Sequence, residues 1–204
     1  MTRVYSRDQL AEAPDWVEID DFEIFTLDQG EPGEGRRTIP WDPGSHAVVA
    51  VVSGEVTAQF ADGKVTLQRR DWLSVPESGL RLTSMRSGTS KHFACELVLV
   101  RGHWDAVNEV GSFQFRPEKP LEYHYHDYNE YWIVYRGSAT VQLPGEEIVV
   151  KAGQVLANPV GWEHGIRAPH ETIEGLGFQT QAVGQRRQGH LLRDVHGEPV
   201  PAAV

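Results

Sequence analysis

Four residues between positions 124 and 164 have the types and the spacing that a metal site needs. His124 and His126 stand two apart in the string HYHDYNE, and residues two apart on a β-strand point to one face. Glu130 follows a break at 127–129 and can enter from the start of the next strand. His164 lies far enough along the chain that a barrel must bring its strand back. Three neutral imidazoles and one carboxylate suit one divalent transition metal (Fe, Mn, Ni, Zn or Co).

Glycine and proline residues stand at regular distances from these four positions. They are Gly137, Gly153, Pro159 and Gly161. With the histidines and the glutamate, they spell H-x-H-x3-E-x6-G followed by G-x5-P-x-G-x2-H. A single histidine on a strand is more often a packed or solvated residue than a ligand. Four ligand types in register with four Gly/Pro markers favour the metal site over that interpretation.

This arrangement resembles the two motifs of the cupin superfamily. The sequence departs from the family pattern at Glu118, where the first motif usually begins with Gly, and at Ala168, where the second often ends with Asn. Neither position is a ligand, so the expected metal site is unaffected. The resemblance implies a jelly-roll barrel, also called a double-stranded β-helix. The metal ligands that it implies are His124, His126, Glu130 and His164.

Composition limits the other functions that the chain could have. The 204 residues carry a formal net charge of −10, which disfavours binding to nucleic acid or to an anionic membrane. No apolar run is long enough to predict a membrane span, and the first residues lack the apolar core of a signal peptide. The one cysteine, Cys95, excludes an internal disulfide. We therefore expect a cytoplasmic protein without nucleic-acid or membrane partners.

The elements that must position the ligands are short strands. Segments such as HAVVAVV, EVTAQF, YWIVY and ATVQL are rich in β-branched and aromatic residues, and Gly, Pro and Asp-Gly separate them. The sequence predicts hairpin turns at 61–64 (ADGK) and 144–146 (PGE). The best helical signal is one N-terminal turn capped by Ser6. The pattern predicts an all-β fold, a sandwich or barrel.

An internal repeat extends this prediction to most of the chain. Residues 54–76 align without a gap on residues 137–159, with an offset of 83 from Gly54 to Gly137. Strand, turn and proline positions agree, which favours duplication over chance similarity of two hairpins. We therefore predict two cupin-type barrels, a bicupin. The predicted domains are an N-terminal barrel (1–105), a metal-binding barrel (106–185) and a C-terminal tail (186–204).

The same offset predicts what stands at the ligand positions of the first barrel. Subtracting it from the four ligand numbers gives Trp41, Pro43, Ala47 and Arg81. None of these side chains is an ordinary metal ligand. The first barrel is therefore expected to hold no metal and to have a structural role.

Tyr128 is the candidate catalytic residue outside the ligand set. It lies in the break between two strands and is free to reach the mouth of the site, whereas Tyr123 and Tyr125 alternate with the histidines and are expected to pack. No nucleophile elbow or phosphate-binding glycine loop precedes a helix, so no further cofactor is predicted. The tail histidines, His190 and His196, are expected to be loosely ordered or to contact a partner.

The function that this predicts is metal-dependent chemistry on a small, oxygen-rich molecule, such as a keto acid or a sugar-like compound. Cupins with this ligand set include isomerases, hydrolases, decarboxylases and dioxygenases, and the resemblance favours an isomerase or a hydrolase. Two alternatives remain: an iron or nickel dioxygenase, and a small-molecule binding protein without catalysis. Barrels of this type have strand edges that can pair, so we also expect a homodimer.

Overall fold

The computed structural model of this chain describes residues 3–28, 35–84, 94–181 and 184–203. The chain divides into two compact units, Ile19–His103 and Trp104–Val204 with Met1–Glu18. We call them the first and the second barrel. The predicted boundary at residue 105 is near the observed division. The first 18 residues differ from the prediction, because they cluster with the second barrel rather than the first.

The N-terminal segment adds a strand to the second barrel. Strand β1 (Val4–Ser6) is followed by a 3₁₀ helix (Arg7–Glu12) that has Ser6 at its N-cap. The Ser6 amide N–H donates to Gln9 Oε1 over 2.9 Å, which confirms the predicted capped turn. Further along, Glu18 Oε2 accepts hydrogen bonds from the Asn129 amide and the Tyr131 hydroxyl. This segment is therefore held at both ends.

The first barrel consists of two four-stranded antiparallel sheets. Its strands are β2 (Ile19–Asp28), β3 (Arg36–Ile39), β4 (His46–Ser53), β5 (Glu55–Phe60), β6 (Gly63–Gln68), β7 (Trp72–Ser74), β8 (Leu80–Ser84) and β9 (Ala94–Gly102). The order in one sheet is β2-β9-β4-β7, and in the other β3-β8-β5-β6. The turn between β5 and β6 falls within the predicted 61–64 segment. An apolar cluster from both sheets fills the interior, including Ile39, Val49, Leu80 and Leu97.

The second barrel repeats this order eight strands later. Its strands are β10 (Val107–Phe115), β11 (Leu121–His124), β12 (Asn129–Arg136), β13 (Ser138–Leu143), β14 (Glu146–Lys151), β15 (Gln154–Asn158), β16 (His164–Pro169) and β17 (Ile173–Thr180). One sheet is β1-β15-β12-β17-β10 and the other is β11-β16-β13-β14. Helix α1 (Arg193–His196) follows. The chain is thus all-β, with two jelly-roll barrels, as predicted.

The repeat has a constant offset only in part of each barrel. Strands β4, β5 and β6 begin and end 83 residues before β12, β13 and β14, as the sequence alignment requires. Strand pairing gives a different offset elsewhere. Ile39 pairs with Leu80 in the first barrel where His124 pairs with His164 in the second. The connecting loops therefore differ by one or two residues, which an ungapped alignment cannot detect.

This register corrects two of the expected equivalents of the ligands. Ala47 remains the counterpart of Glu130, but Ile39 replaces Trp41 as the counterpart of His124, and Leu80 replaces Arg81 as the counterpart of His164. Ile39 and Leu80 are 1% and 2% exposed, whereas the Arg81 side chain lies on the exposed face. The first barrel thus has aliphatic side chains where the second has ligand types.

Candidate metal centre

The structure brings the four predicted ligand residues together inside the second barrel. His124 ends β11, His126 follows it, Glu130 lies on β12, and His164 begins β16. One ligand atom from each residue lies within 4.8 Å of the others. All four side chains are buried, with exposures between 1% and 5%. The arrangement predicted from spacing is therefore present as a closed cluster of donors.

Backbone carbonyls orient the three imidazole rings. Nδ1 of His124 lies 2.8 Å from the Glu122 carbonyl oxygen, and Nδ1 of His164 lies 2.9 Å from that of Trp162. Nδ1 of His126 lies 2.9 Å from the Gly189 carbonyl oxygen. A carbonyl can only accept, so each Nδ1 carries the proton. In a neutral ring, each Nε2 then has a free lone pair.

These lone pairs converge on one point. Nε2 of His124 lies 3.1 Å from Nε2 of His126, and neither atom has a proton to donate to the other. Oε2 of Glu130 lies 3.0 Å from Nε2 of His164 and 3.3 Å from that of His126. Buried acceptors that face one another are unfavourable unless a cation lies among them. Three nitrogens and one carboxylate oxygen fit a divalent transition metal, so the donor set passes this test.

The electrostatic environment keeps the donors in their metal-binding forms. Burial, and then the neighbouring His164, lower the pKa of His124 to about 2, so its ring is neutral at physiological pH. Burial alone would raise the pKa of Glu130. The hydrogen bonds and charges of His126 and His164 outweigh burial and hold that pKa well below its usual range. The site therefore offers neutral imidazoles and an ionised carboxylate.

Two neighbours hold the Glu130 carboxylate in place. The Trp132 indole N–H donates to Oε2 over 2.8 Å, and the Gln179 side-chain amide donates to Oε1 over 3.1 Å. Trp132 faces the barrel interior, as its alternation with Glu130 predicts, and is 3% exposed. Such support fixes the direction of the oxygen that points to the histidines.

A cavity of about 190 Å³ opens beside Glu130. Its lining residues are Glu109, Gly111, Ser112, Phe113, Phe115, Leu121, Glu130, Trp132, Gly177, Gln179 and His190. Large apolar side chains make up the walls, and the polar groups come from Glu109, Glu130, Gln179 and His190. Among the residues that the structure describes, no lysine or arginine lines this cavity. A small molecule there would meet a mostly apolar and aromatic surface with polar groups at Glu130.

Tyr128 lies beside the ligands but inside the protein. It is 1% exposed, and its ring stacks on that of His126 with centroids 4.5 Å apart. Burial, and then the charge of Glu130, raise the pKa of its phenol, so this group keeps its proton. Its catalytic role stays a prediction. Tyr125 is fully buried, in agreement with its expected packing role.

His190 is a neighbour of the site that the sequence did not indicate. Its ring stacks on His124 with centroids 3.8 Å apart and an interplanar angle of 18°. The expectation that this tail is loosely ordered or contacts a partner is wrong, because Leu191 pairs with Tyr125 as part of the second barrel. His190 is 26 residues past His164 in a polar segment, RRQGHLLRD, and no strand pattern ties it to the motifs. Only the fold shows its place.

Comparison with known proteins agrees with this site and fold. Residues 111–174 match the model of the cupin domain family, and this range contains all four donors. Residues 111–174 form a cupin domain. The chain is 27% identical to the protein named "Uncharacterized protein y4oW" from Sinorhizobium fredii, over 97% of this chain and 93% of that protein. The first barrel has the same strand order as this cupin domain but lies outside the matched range.

Solved cupin-fold structures are similar to the chain as a whole. Oxalate decarboxylase from Lactobacillus farciminis, in a formate complex, superposes with a TM-score of 0.60 at 10% identity, over 91% of this chain and 88% of that one. A mutant of Bacillus subtilis oxalate decarboxylase gives 0.61 at 8% identity, over 88% and 77%. Identities this low support the fold alone. Across the described part of the chain, no helix has the length and apolar character that crossing a membrane requires.

Proposed function

We propose that this protein is a two-barrel cupin enzyme in which His124, His126, Glu130 and His164 bind one divalent transition metal. The observation that carries the proposal is the convergence of four buried acceptor atoms beside a cavity. A binding site that only stored a ligand would not need acceptors facing one another at 3.1 Å. The first barrel, which has aliphatic side chains at these positions, is proposed to have a structural role.

The cavity narrows the class of substrate. Its volume of about 190 Å³ is below the range of drug-sized sites, so the substrate is small. Phe113, Phe115 and Leu121 offer no hydrogen bonds, which disfavours a sugar. The cavity has no cationic side chain among its described lining residues, which disfavours a dianion such as oxalate or a phosphate ester. We infer a compact carbonyl or hydroxy compound, such as a small keto acid, with an apolar side group.

The residues of the chain suggest an isomerase- or hydrolase-type reaction. A bound divalent metal would supply Lewis acidity to a substrate oxygen. Trp132 and Gln179 hold the Glu130 carboxylate against the imidazoles, so Glu130 acts as an anchor. Glu109 is an exposed carboxylate in the cavity lining and can accept a proton from a carbon next to the substrate carbonyl. Tyr128 can donate a hydrogen bond through the phenol proton that it retains.

A dioxygenase is the second candidate, and one observation favours it. The walls of the cavity are aromatic and aliphatic at Phe113, Phe115, Leu121 and Trp132. Dioxygen is apolar, so such walls do not oppose its entry. The same ligand set suits iron or nickel. Proton transfer by Glu109 is less important in this reaction than in an isomerase, which separates the two candidates experimentally.

Elemental analysis of the purified protein tests the metal site. We expect about one metal per chain, and His126→Ala should lose most of it because a ligand is missing. His170→Ala is the matched control, since His170 is an exposed histidine of the same barrel that contacts Ser138 and Thr140. Two metals per chain would contradict the structural role of the first barrel. Full occupancy in His126→Ala would contradict the ligand assignment.

The reaction is tested with a panel of small keto acids that carry apolar side groups. Metal-dependent exchange of the proton next to the carbonyl in D₂O, followed by proton NMR and lost in Glu109→Gln, would support the isomerase or hydrolase. Oxygen uptake that Glu109→Gln retains would instead support the dioxygenase. A metal-loaded protein with neither activity would indicate the binding protein.

The assembly is proposed to be a homodimer of a cytoplasmic protein. Strand β14 ends its sheet, and Val149 on this strand is 54% exposed. An edge with an apolar side chain is a surface on which a second copy can pair. Light scattering after size exclusion should give twice the 22.9 kDa chain mass. A monomer at micromolar concentration would contradict this proposal.

A further inference from the structure

The C-terminal segment Arg187–Leu191 contacts two of the donor residues directly. We call it the covering segment. The Gly189 carbonyl accepts the hydrogen bond of His126 Nδ1 at 2.9 Å, and the His190 ring lies flat against His124. His190 also forms part of the cavity wall beside Glu130. The other two donor histidines use carbonyls within two residues of themselves, whereas His126 uses one 63 residues away.

The segment is attached on both sides of this contact. Tyr125 and Leu191 exchange two backbone hydrogen bonds of 3.0 Å each. On the other side, the Arg187 guanidinium donates two hydrogen bonds of 2.8 and 2.9 Å to the Asp127 carboxylate. Residues 125 and 127 flank His126 in the chain. The two attachments therefore hold the Gly189 carbonyl directly opposite the His126 ring.

From this geometry we propose that the covering segment is a structural component of the metal centre, in which Gly189 and His190 position His126 and His124. The inference depends on the metal site of the proposed function and not on its reaction. The Gly189 carbonyl keeps the proton of His126 on Nδ1 and leaves Nε2 free for the metal. His190 is a positioning residue, because its ring limits how far the His124 ring can turn.

Two quantitative consequences follow. Loss of a partner that orients a ligand usually costs 10–100-fold in metal affinity, so disrupting the segment should weaken binding by about tenfold or more. Coupling between two binding events is reciprocal. Metal binding must therefore stabilise the docked segment by the same factor as the docked segment stabilises the bound metal.

Glycine strain provides a clean test of the Gly189 carbonyl. Gly189 has φ of +79°, and an added Cβ would meet no atom within 4 Å, so Gly189→Ala disturbs only the backbone conformation. Gly145, in the β13–β14 hairpin, has φ of +80° and the same open space, which makes Gly145→Ala the matched control. Competition with a chelator for Co²⁺ should show about tenfold weaker binding in Gly189→Ala only. Equal affinities in the two variants would overturn the proposal.

Substitutions at His190 test whether its ring positions His124. His190→Phe keeps a flat ring on His124, whereas His190→Ala removes it. We expect wild-type Co²⁺ affinity and an unchanged visible Co²⁺ spectrum in the Phe variant. In the Ala variant, weaker binding should accompany a shifted spectrum, which reports ligand geometry. An unaltered spectrum and affinity in His190→Ala would contradict the positioning role, as would a failure of Phe to restore them.

Measurements on the unmodified chain keep the proposal testable if these variants do not fold. Hydrogen exchange of the Gly189 and Leu191 amides should slow by about the same tenfold factor when Zn²⁺ binds. Exchange in the β5–β6 hairpin of the first barrel should not change. Zinc binding without slower exchange in the segment would refute this inference alone. No binding of Zn²⁺ or Co²⁺ to the wild-type protein would instead refute the proposed metal site.

Discussion

The two barrels share one strand order but have different interiors. In the first, Ile39, Ala47 and Leu80 stand where the second has His124, Glu130 and His164. The first interior is a continuous apolar cluster, and the second combines a similar cluster with four buried donors. The jelly roll therefore does not depend on the metal ligands. Aliphatic packing can replace them, at the loss of the site and its cavity-lining carboxylate.

The largest expected effect comes from shortening the same position in each barrel. Leu80→Ala should lower the free energy of unfolding by about 2–5 kcal/mol, because it leaves a hole in a packed core. Its metal content should stay at one per chain. His164→Ala should do the opposite: it should lose metal, with a smaller change in the stability of the metal-free protein. Urea unfolding in chelator, beside elemental analysis, measures both. The comparison fails if both variants lose the same property.

Glu130→Gln distinguishes an anchor from a proton carrier. It keeps the shape and one oxygen of a side chain that Trp132 and Gln179 hold, but removes the charge. For an anchor, metal affinity should fall at least about tenfold, the scale of altered ligand support, with a modest loss of turnover at saturating metal. For a proton carrier, affinity would be retained and turnover would fall by ~10²–10⁴. Metal titration and rates at full occupancy decide between them.

The second barrel should also respond to acid where the apolar interior of the first cannot. His124 has a folded pKa of about 2 and an unfolded pKa of about 6.5. Between these values the unfolded chain binds a proton that the folded chain excludes, so stability falls as the pH drops below 6.5. The lowered pKa of Glu130 adds a loss of the same sign at more acidic pH.

For the metal-free protein, the His124 effect is about 1.4 kcal/mol between pH 7.5 and 5.5. Urea unfolding at the two pH values measures it, and His124→Gln should show a correspondingly smaller pH dependence. If both proteins lost equal stability, His124 would not be the group responsible.

The smallest expected effect concerns the glycine that both barrels retain. Gly54 and Gly137 have φ of +79° and +74°, so alanine strains both. An added Cβ would lie 3.0 Å from Cys95 Cα in the first barrel but only 2.3 Å from the Thr172 carbonyl oxygen in the second. Gly137→Ala should therefore cost about 1 kcal/mol more than Gly54→Ala. Thermal unfolding of the two variants in chelator tests this difference, and equal losses would show that the second loop yields to the added carbon.

Much of this molecule could be predicted from the sequence, because the evidence for it is local. The period of two in segments such as ATVQL, the Asp-Gly and Pro-Gly turns and the spacing of His124, His126 and Glu130 all act over a few residues. The repeat then predicted that the first barrel has no ligand set of this kind. The all-β fold and the donor cluster follow from these signals.

The tertiary structure alone decided three features. Loops of different length shifted the counterparts of His124 and His164 to Ile39 and Leu80, which only strand pairing reveals. The first 18 residues joined the second barrel through β1. The tail placed Gly189 and His190 against the donors, through contacts that span more than 60 residues. Such contacts leave no periodic pattern, because single hydrogen bonds and ring contacts depend on where the chain returns and not on its local sequence.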